Sequence, residues 1–467
     1  MHYISTRGEA PRLGFADVLL AGLARDGGLY VPEAWPRLAP EEIAELAGRP
    51  FDQVATRIVA PFAAPDISEA ALARMAREAY EGFGHRATTP LVQIAPELFV
   101  LELFHGPTLA FKDVAMQLLA RMMDYVLAER DERVTIVGAT SGDTGGAAIE
   151  AFAGSQRSDI FILFPAGRVS DVQRRMMTTP TAANVHAIAI EGTFDDCQAL
   201  VKAMFNDHAF RDRVHLSGVN SINWARIVAQ VTYYFAAASA LGAPHREVGF
   251  VVPTGNFGDI FAGYVARRMG LGVADLVIAS NDNDILPRTL ATGAYEMRDV
   301  VATTSPSMDI QVSSNFERYL FEATGRDAAF VRGAMDRLAQ ARRFDLAEAG
   351  APLRADFSAG AARQREVADA IRTVARNAGY VMDPHTACAY VAAKACRRRG
   401  PATPVVLLAT AHPAKFPDAM AAITGERPAL PARLEGLMQA AERANHLPND
   451  LAAVERHVLA MSRGSAR

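Results

Sequence analysis

Short apolar runs alternate with amphipathic helical patterns through the middle of the chain. Each run has the length and the apolar character of a single strand that is buried on both faces. Most runs are followed by a helical pattern, and strand–helix–strand units of this kind build parallel sheets. We therefore predict an α/β fold with open, mostly parallel sheets and helices on both faces. The predicted strands are residues 134–139, 159–165, 185–190, 248–253, 275–280 and 404–410.

The two ends of the chain have a more helical pattern than the middle. Apolar spacing predicts helices at 15–24 and 68–83, and Ser68 is suited to cap the second helix. The pattern of residues 286–360 predicts only loops and short helices. We predict a mainly helical N-terminal domain, a larger α/β region with two subdomains, and a helical C-terminal appendage. These three parts span residues 1–95, 96–425 and 426–467.

The composition argues against several classes of protein. The formal net charge of −4 provides no basic surface for nucleic acid or for anionic lipid. No run of about 18 apolar residues occurs, and the N-terminus lacks a signal-peptide core, so we expect a cytoplasmic protein without a membrane partner. Because Cys197, Cys388 and Cys396 lack metal-ligand spacing, we expect buried thiols and no metal site.

Three loops that follow predicted strands contain residues suited to ligand binding. In open parallel sheets, ligands bind beyond the carboxyl ends of the strands. The loops TSGDTGG (140–146) and PTGNFGD (253–259) place glycines before a predicted helix, where free N–H groups attract an anion. An ordinary glycine-rich turn is the alternative for the first loop, which lacks P-loop or dinucleotide-fold spacing. The third loop, LATAHPAKF (408–416), places the Thr410 hydroxyl where it can contact a ligand ring, and a capped turn is the alternative for this residue.

Lysine is rare in this chain, and one lysine lies in the stretch HGPTLAFKD. Of the 48 lysines and arginines, only four are lysines: Lys112, Lys202, Lys394 and Lys415. Arginine can replace lysine as a cation but cannot form an imine with an aldehyde. The retained Lys112 therefore indicates covalent amine chemistry. Lys415 begins a predicted helix without a flanking glycine loop and is the weaker candidate.

Pyridoxal 5′-phosphate is a cofactor that fits these features together. It has an aldehyde for Lys112, a phosphate for a glycine-rich helix start, and a ring nitrogen for Thr410. The alternative is that Lys112 only pairs with Asp113 or Glu102, which would make it a structural residue.

The motifs of the chain, taken in order, resemble those of the threonine synthase family. The resemblance runs from about residue 1 to 425 and has the long-form arrangement of bacteria and fungi. Asp171 stands where proline is expected, and Met176 lies near an expected glutamine; both departures are close to the substrate region. The motifs are STRG (5–8), DGGLYVP (26–32), HGPTLAFKD (105–113), TSGDTGG (140–146), GTFDDCQ (192–198), NSINWARI (220–227), PTGNFGD (253–259), NDND (281–284), SPSMDI (305–310), SSNFER (313–318), DPHTA (383–387) and LATAHPAKF (408–416).

The resemblance implies the tryptophan-synthase-β-like fold, fold type II of the pyridoxal-phosphate enzymes, with the cofactor between the two subdomains. It implies that O-phospho-L-homoserine and water become L-threonine and phosphate by γ-elimination and β-hydration. Lys112 would then form the Schiff base, and Thr410 would bond the pyridine nitrogen. The residues assigned to the cofactor phosphate are Gly255, Asn256, Phe257, Gly258 and Asp259.

The resemblance also assigns residues to the two anionic groups of the substrate. For the substrate phosphate, helical spacing supports only part of the assignment given below. The alternative for Arg226 is an arginine on the surface of a helix. The substrate carboxylate is assigned to Ser141, Gly142, Asp143 and Thr144, and the substrate phosphate to Asn220, Ser221 and Arg226.

Two rival functions share these features. The same fold hosts dehydratases and other β-lyases, which would release a keto acid and ammonia. A catalytically silent homologue that binds a ligand is a rival of a different class, although such relatives usually lose the lysine or the phosphate loop. Either a monomer or a homodimer is compatible with the sequence.

Overall fold

The structure, a computed structural model, describes residues 1–219, 221–397 and 402–463. Its helices are α1 (Phe15–Ala21), α2 (Pro40–Ala44), α3 (Phe51–Ala63), α4 (Glu69–Tyr80), α5 (Lys112–Glu129), α6 (Asp143–Phe152), α7 (Asp171–Thr178), α8 (Phe194–Asn206), α9 (His208–Val214), α10 (Trp224–Ala240), α11 (Gly258–Arg268), α12 (Ile285–Thr292), α13 (Phe316–Ala323), α14 (Ala328–Ala341), α15 (Gly350–Asp356), α16 (Gln364–Ala378), α17 (Pro384–Ala392), α18 (Pro417–Thr424) and α19 (Leu451–Met461). Its strands are β1 (His2–Ser5), β2 (Leu13–Gly14), β3 (Tyr30–Pro32), β4 (Leu91–Ala95), β5 (Leu98–Glu102), β6 (Val134–Ala139), β7 (Ser158–Pro165), β8 (Val185–Ile190), β9 (Leu216–Ser217), β10 (Val248–Pro253), β11 (Val273–Ser280), β12 (Ala294–Glu296), β13 (Arg343–Asp345), β14 (Ser358–Ala361), β15 (Val405–Ala409) and β16 (Asn445–Leu447).

Two mostly parallel sheets form the centre of the molecule. The large sheet has the strand order β14-β11-β10-β15-β5-β4, in which only the edge strand β4 runs antiparallel to its neighbour. The small sheet has the order β16-β8-β7-β6-β9, and all of its strands are parallel. Helices cover the faces of both sheets, so strands such as β7 and β10 are buried along their whole length.

The six strands predicted from apolar runs are all present. Val134–Ala139, Val185–Ile190 and Val248–Pro253 have the predicted bounds, and the other three differ at their ends by at most two residues. The N-terminal helices are also confirmed, and the Ser68 side chain accepts a hydrogen bond from the Ala71 N–H as the cap of α4. A strand that is buried on both faces requires apolar side chains along its whole length. The apolar runs in the sequence therefore locate these strands well.

Helix α10 connects the N-terminal part of the chain with helices from the middle of the chain. Nearly all of its residues are buried, and it packs against α3, α5 and α11. Its first residue, Trp224, contacts the rings of Tyr3, Trp35 and Phe62 from the N-terminal part of the chain. This apolar anchoring fixes the start of α10, where Arg226 lies.

Two predictions about secondary structure were incomplete. Residues 286–360 contain a 14-residue helix, α14, but only Val331 and Ala334 of it are buried, so its apolar pattern is weak. The C-terminal segment is not a purely helical appendage, because Asn445–Leu447 adds a parallel strand to the small sheet next to β8. Helix α19 then packs against α8. Among the described residues, no helix is both long and apolar enough to cross a membrane.

A pair of histidines lies between the small sheet and the C-terminal helix. His186 of β8 stacks on Phe161, with ring centroids 4.3 Å apart, and His457 of α19 meets both rings edge-on. Burial lowers the pKa of His186 to about 4. This ring is therefore neutral in the folded protein at neutral pH.

Replacing His186 with phenylalanine should reduce the loss of stability at low pH. Since the folded pKa is about 4 and the unfolded value about 6.5, the unfolded chain takes up the proton first, and the free energy of unfolding falls as the pH drops from 6.5 to 4. The variant should avoid about 2 kcal/mol of that loss, as measured by urea unfolding at pH 7 and 4.5. The exposed residue His208 is the control, and His208→Gln should behave like the parent. Equal pH dependence in His186→Phe and the parent would contradict the prediction.

Candidate active site

Lys112 is positioned by a short antiparallel contact between two loops of the large sheet. The Phe111 N–H donates to the Thr410 carbonyl at 2.9 Å, and the His412 N–H donates to the Leu109 carbonyl at 3.0 Å. Because these loops follow the neighbouring strands β5 and β15, Lys112 and Thr410 lie at the same edge of the sheet. Lys112 is the first residue of α5 and is 9% exposed.

The carboxylates nearest to Lys112 in sequence have other partners. Asp113 accepts hydrogen bonds from the Thr108 N–H at 2.8 Å and from the Thr108 hydroxyl at 2.6 Å. Glu102 contacts the His105 ring at 2.7 Å. The alternative of a structural ion pair between Lys112 and Asp113 or Glu102 is therefore not what the structure contains.

Lys112 instead faces Asp143, at the start of α6. Its Nζ lies 3.6 Å from Asp143 Oδ2, whereas Lys415 Nζ lies 2.6 Å from Asp143 Oδ1. Gln173 also donates to Oδ1, at 2.8 Å. Burial by itself would raise the pKa of Asp143, but the two lysines outweigh it and hold the pKa below its usual range.

The electrostatic environment of Lys112 favours a neutral amine. Burial is the largest cause that lowers its pKa. Asp143 opposes this shift, whereas the positive charges of Lys415 and Arg226 add to it. A lysine with a lowered pKa is suited to nucleophilic attack on an aldehyde and to proton transfer.

One small cavity brings together the residues predicted to hold the cofactor. Lys112, Thr410 and the loop 253–259 line it. The geometry fits pyridoxal phosphate, because an amine, a helix start and a hydroxyl face one space at the carboxyl end of the large sheet. The rest of the lining consists of Phe111, Ser307, Met308 and His385. Among the described residues, no cluster of metal-ligating side chains occurs, and the three cysteines are buried free thiols.

The loop 253–259 is shaped to present backbone N–H groups to a phosphate. It ends at the first turn of α11, whose leading N–H groups have no partner within the helix. A Cβ at Gly255 would meet the Ser307 carbonyl oxygen at 2.8 Å, so the close approach of these two segments requires glycine. Phe257 adopts φ +66° and buries its ring between Phe316 and Phe357, which anchors the loop.

Two polar residues of this loop use their side chains elsewhere. The Asn256 side-chain oxygen accepts from the Gly258 N–H at 3.0 Å. Asp259 points away from the loop and accepts from the hydroxyls of Tyr233 and Tyr234 at 2.5 and 2.9 Å. Burial raises the pKa of Asp259 to about 6. The predicted contact of Asp259 with the cofactor phosphate would therefore come from its backbone N–H, in the first turn of α11.

The loop 140–146 is held by hydrogen bonds of its own and leads into α6. The Thr140 hydroxyl accepts from the N–H groups of Gly142 and Gly145, both at 2.9 Å. The Asp143 carboxylate contacts Lys112 and Lys415, so we expect the Asp143 backbone rather than its side chain to face a substrate carboxylate. Ser141 is exposed and Thr144 half-buried, and these two side chains stay available for a ligand.

Arg226 is buried rather than a surface helix residue. It is 2% exposed, and its Nε and Nη1 atoms have no hydrogen-bond partner among the residues that the structure describes. Burial lowers its pKa to about 10, far above neutral pH, so the guanidinium keeps its charge. Two unpartnered donor nitrogens on a buried cation are costly, and they make this position suited to bind an anion.

The other two residues predicted for the substrate phosphate precede α10. Asn220 lies outside the described residues. Ser221 is half-buried, and its carbonyl accepts from the Asn315 side chain at 3.0 Å. Arg318, which is fully buried, donates to the neighbouring Ile222 carbonyl at 2.6 Å. The motif SSNFER therefore holds the segment that leads to Arg226.

Sequence reasoning gave no role to two residues that line the cavity. His385 is held by Asp383, whose Oδ2 lies 2.7 Å from His385 Nδ1. The opposite nitrogen, Nε2, accepts from the Ser307 N–H at 3.3 Å. The Ser307 hydroxyl in turn donates to Asp143 Oδ2 at 3.2 Å. The motifs DPHTA and SPSMDI were the only sequence signal for these contacts.

Comparisons with known proteins agree with this geometry. Residues 2–80 match the family described as "Threonine synthase N terminus", residues 82–356 match "Pyridoxal-phosphate dependent enzyme", and residues 386–458 match "Threonine synthase, C-terminal". The threonine synthase of Pseudomonas aeruginosa is 52% identical over 98% of both chains.

Two solved structures show the same fold over nearly the whole chain. The crystal structure of PLP-bound threonine synthase from Brucella melitensis has a TM-score of 0.97 and 61% identity, covering 99% of this chain and all of that one. The yeast threonine synthase structure has a TM-score of 0.93 and 36% identity, with 98% of each chain covered. The chain therefore belongs to the threonine synthase family of pyridoxal-phosphate-dependent enzymes.

Proposed function

We propose that this enzyme converts O-phospho-L-homoserine and water to L-threonine and phosphate. The observation that carries the proposal is the buried guanidinium of Arg226, whose Nε and Nη1 have no hydrogen-bond partner among the described residues and whose charge lies close enough to Lys112 to lower the Lys112 pKa. A phosphorylated amino acid supplies the anion that this cation requires, and its amine would lie towards Lys112.

Lys112 is the residue that we assign to covalent catalysis and proton transfer. When bound, pyridoxal phosphate supplies an aldehyde for imine formation and a ring that withdraws electrons from the adjacent carbon. Lys112 provides the amine, and its lowered pKa increases the fraction that can accept a proton from the substrate. Thr410, as a neutral hydroxyl, would orient the ring nitrogen from the opposite loop.

We assign the departing phosphate of the substrate to Arg226 and the segment before it. The guanidinium is held at the start of α10, and its Nε and Nη1, which have no partner in the part of the chain that the structure describes, can meet charge that develops on the leaving oxygen. Ser221 is positioned there by Asn315. The substrate carboxylate is assigned to Ser141 and Thr144 of the loop 140–146, whose helix start favours an anion.

Product analysis tests this function against its rivals. Purified holoenzyme with O-phospho-L-homoserine should release phosphate and threonine in equal amounts. A dehydratase would yield a keto acid and ammonia from serine or threonine, and a silent homologue would yield no product. Either result would reject the proposal.

A further inference from the structure

Lys415 is a second buried lysine that the proposed chemistry does not use. Its side chain is 1% exposed, against 11% for Lys112, and both lysines contact the carboxylate of Asp143. The other two lysines, Lys202 and Lys394, are exposed. The two lysines that are buried therefore share one counter-ion.

The two lysines contact Asp143 at different distances. Lys415 Nζ is 2.6 Å from Oδ1 and also donates to the Thr108 carbonyl at 2.7 Å. Gln173 donates a further hydrogen bond to Oδ1, and Ser307 donates one to Oδ2. At 3.6 Å, Lys112 lies beyond hydrogen-bond distance from Oδ2. Lys112 is therefore within ion-pair distance of the carboxylate, whereas Lys415 is its closest cation and Gln173, Ser307 and Lys415 supply its hydrogen bonds.

We propose that Lys415 is a positioning residue for Lys112: it stays bound to Asp143, so that this carboxylate does not capture the Lys112 amine as an ammonium ion. The inference rests on the proposed covalent role of Lys112. A buried carboxylate without Lys415 would attract the nearest remaining cation, because an unpaired buried charge is strongly unfavourable. A protonated Lys112 held in that way can neither attack an aldehyde nor accept a proton.

The other charged groups around Lys112 do not replace Lys415. Arg226 also lowers the Lys112 pKa, but its Nε and Nη1 have no hydrogen-bond partner among the described residues, so they do not bond Asp143. Asp113 is bonded to Thr108.

Two acidic groups on other elements are also occupied. Asp259 of α11 is bonded to Tyr233 and Tyr234. Asp383 of α17 holds the ring of His385 at 2.7 Å. Asp143 is therefore the carboxylate that is positioned to compete for the Lys112 proton.

The test is a pH titration of the visible cofactor absorption in purified holoenzyme, which reports protonation of the Lys112 nitrogen. Lys415→Met should shift the midpoint upward by at least about one pH unit, a tenfold change, because removing a cation and freeing a carboxylate both favour the protonated nitrogen. Lys394→Met removes an exposed lysine and is the matched control, with an unchanged midpoint. Equal midpoints in the Lys415→Met variant and the parent would overturn the proposal.

A second variant covers the case in which Lys415→Met holds no cofactor. The double variant Lys415→Met with Asp143→Asn has neither the lysine nor the carboxylate, and it should regain cofactor absorption. A double variant as defective as the single one would refute the positioning role. The titration needs no substrate, so a protein that releases no phosphate from O-phospho-L-homoserine would reject the proposed function and still give a midpoint.

Discussion

Lys112→Ala should abolish the visible absorption of the bound cofactor and lower kcat by at least about 10³-fold. The expected effect is this large because the amine is both the covalent partner of the cofactor and the group placed to move substrate protons. No other lysine can substitute, since Lys415 is held by Asp143 and by the Thr108 carbonyl. The measurements are an absorbance spectrum and the rate of phosphate release.

Lys112→Arg separates the covalent role from a role of charge alone. Arginine keeps a cation near Asp143 but cannot form an imine. We expect this variant to be as inactive as Lys112→Ala while its urea midpoint stays close to that of the parent. Substantial threonine formation by Lys112→Arg would show that Lys112 is not the covalent residue.

The sequence pattern predicted the sheets better than the segments that join them. Strands buried on both faces need continuous apolar runs, and such runs are visible in one sequence. Pairings between distant segments leave no local signal. Arg7 binds Glu317, which is 310 residues away, and Asn445–Leu447 joins the small sheet beside β8. Such contacts depend on tertiary structure, and the apolar period does not predict them.

The sequence predicted which loops form the candidate site. It did not predict the orientations of the side chains in those loops. Lys112, Thr410 and the loop 253–259 meet because parallel strands bring their carboxyl ends to one edge. The directions of Asp143 and Asp259 depend on partners far along the chain, such as Lys415 for the first of them. A single sequence predicts which residues reach the site but not which partner each carboxylate selects.

Arg226→Met should lower kcat/KM for O-phospho-L-homoserine by about 10² to 10³-fold and leave the cofactor absorption intact. Methionine fills a similar volume and removes the charge. Because the Arg226 guanidinium is buried with Nε and Nη1 unpartnered among the described residues, its removal should also leave the urea midpoint equal to that of the parent or higher. A gain in stability with a loss of activity is the signature of a residue kept for its ligand.

Inorganic phosphate provides the control that separates a phosphate-binding role from a structural one. Phosphate should inhibit the parent competitively and should inhibit Arg226→Met much more weakly. Arg226→Lys keeps the charge but lacks the planar pair of donors of the guanidinium. Its kcat/KM should therefore lie between the values of the parent and of Arg226→Met. If Arg226→Met were destabilised and still inhibited by phosphate like the parent, Arg226 would be a structural residue, and the substrate phosphate would have to bind elsewhere.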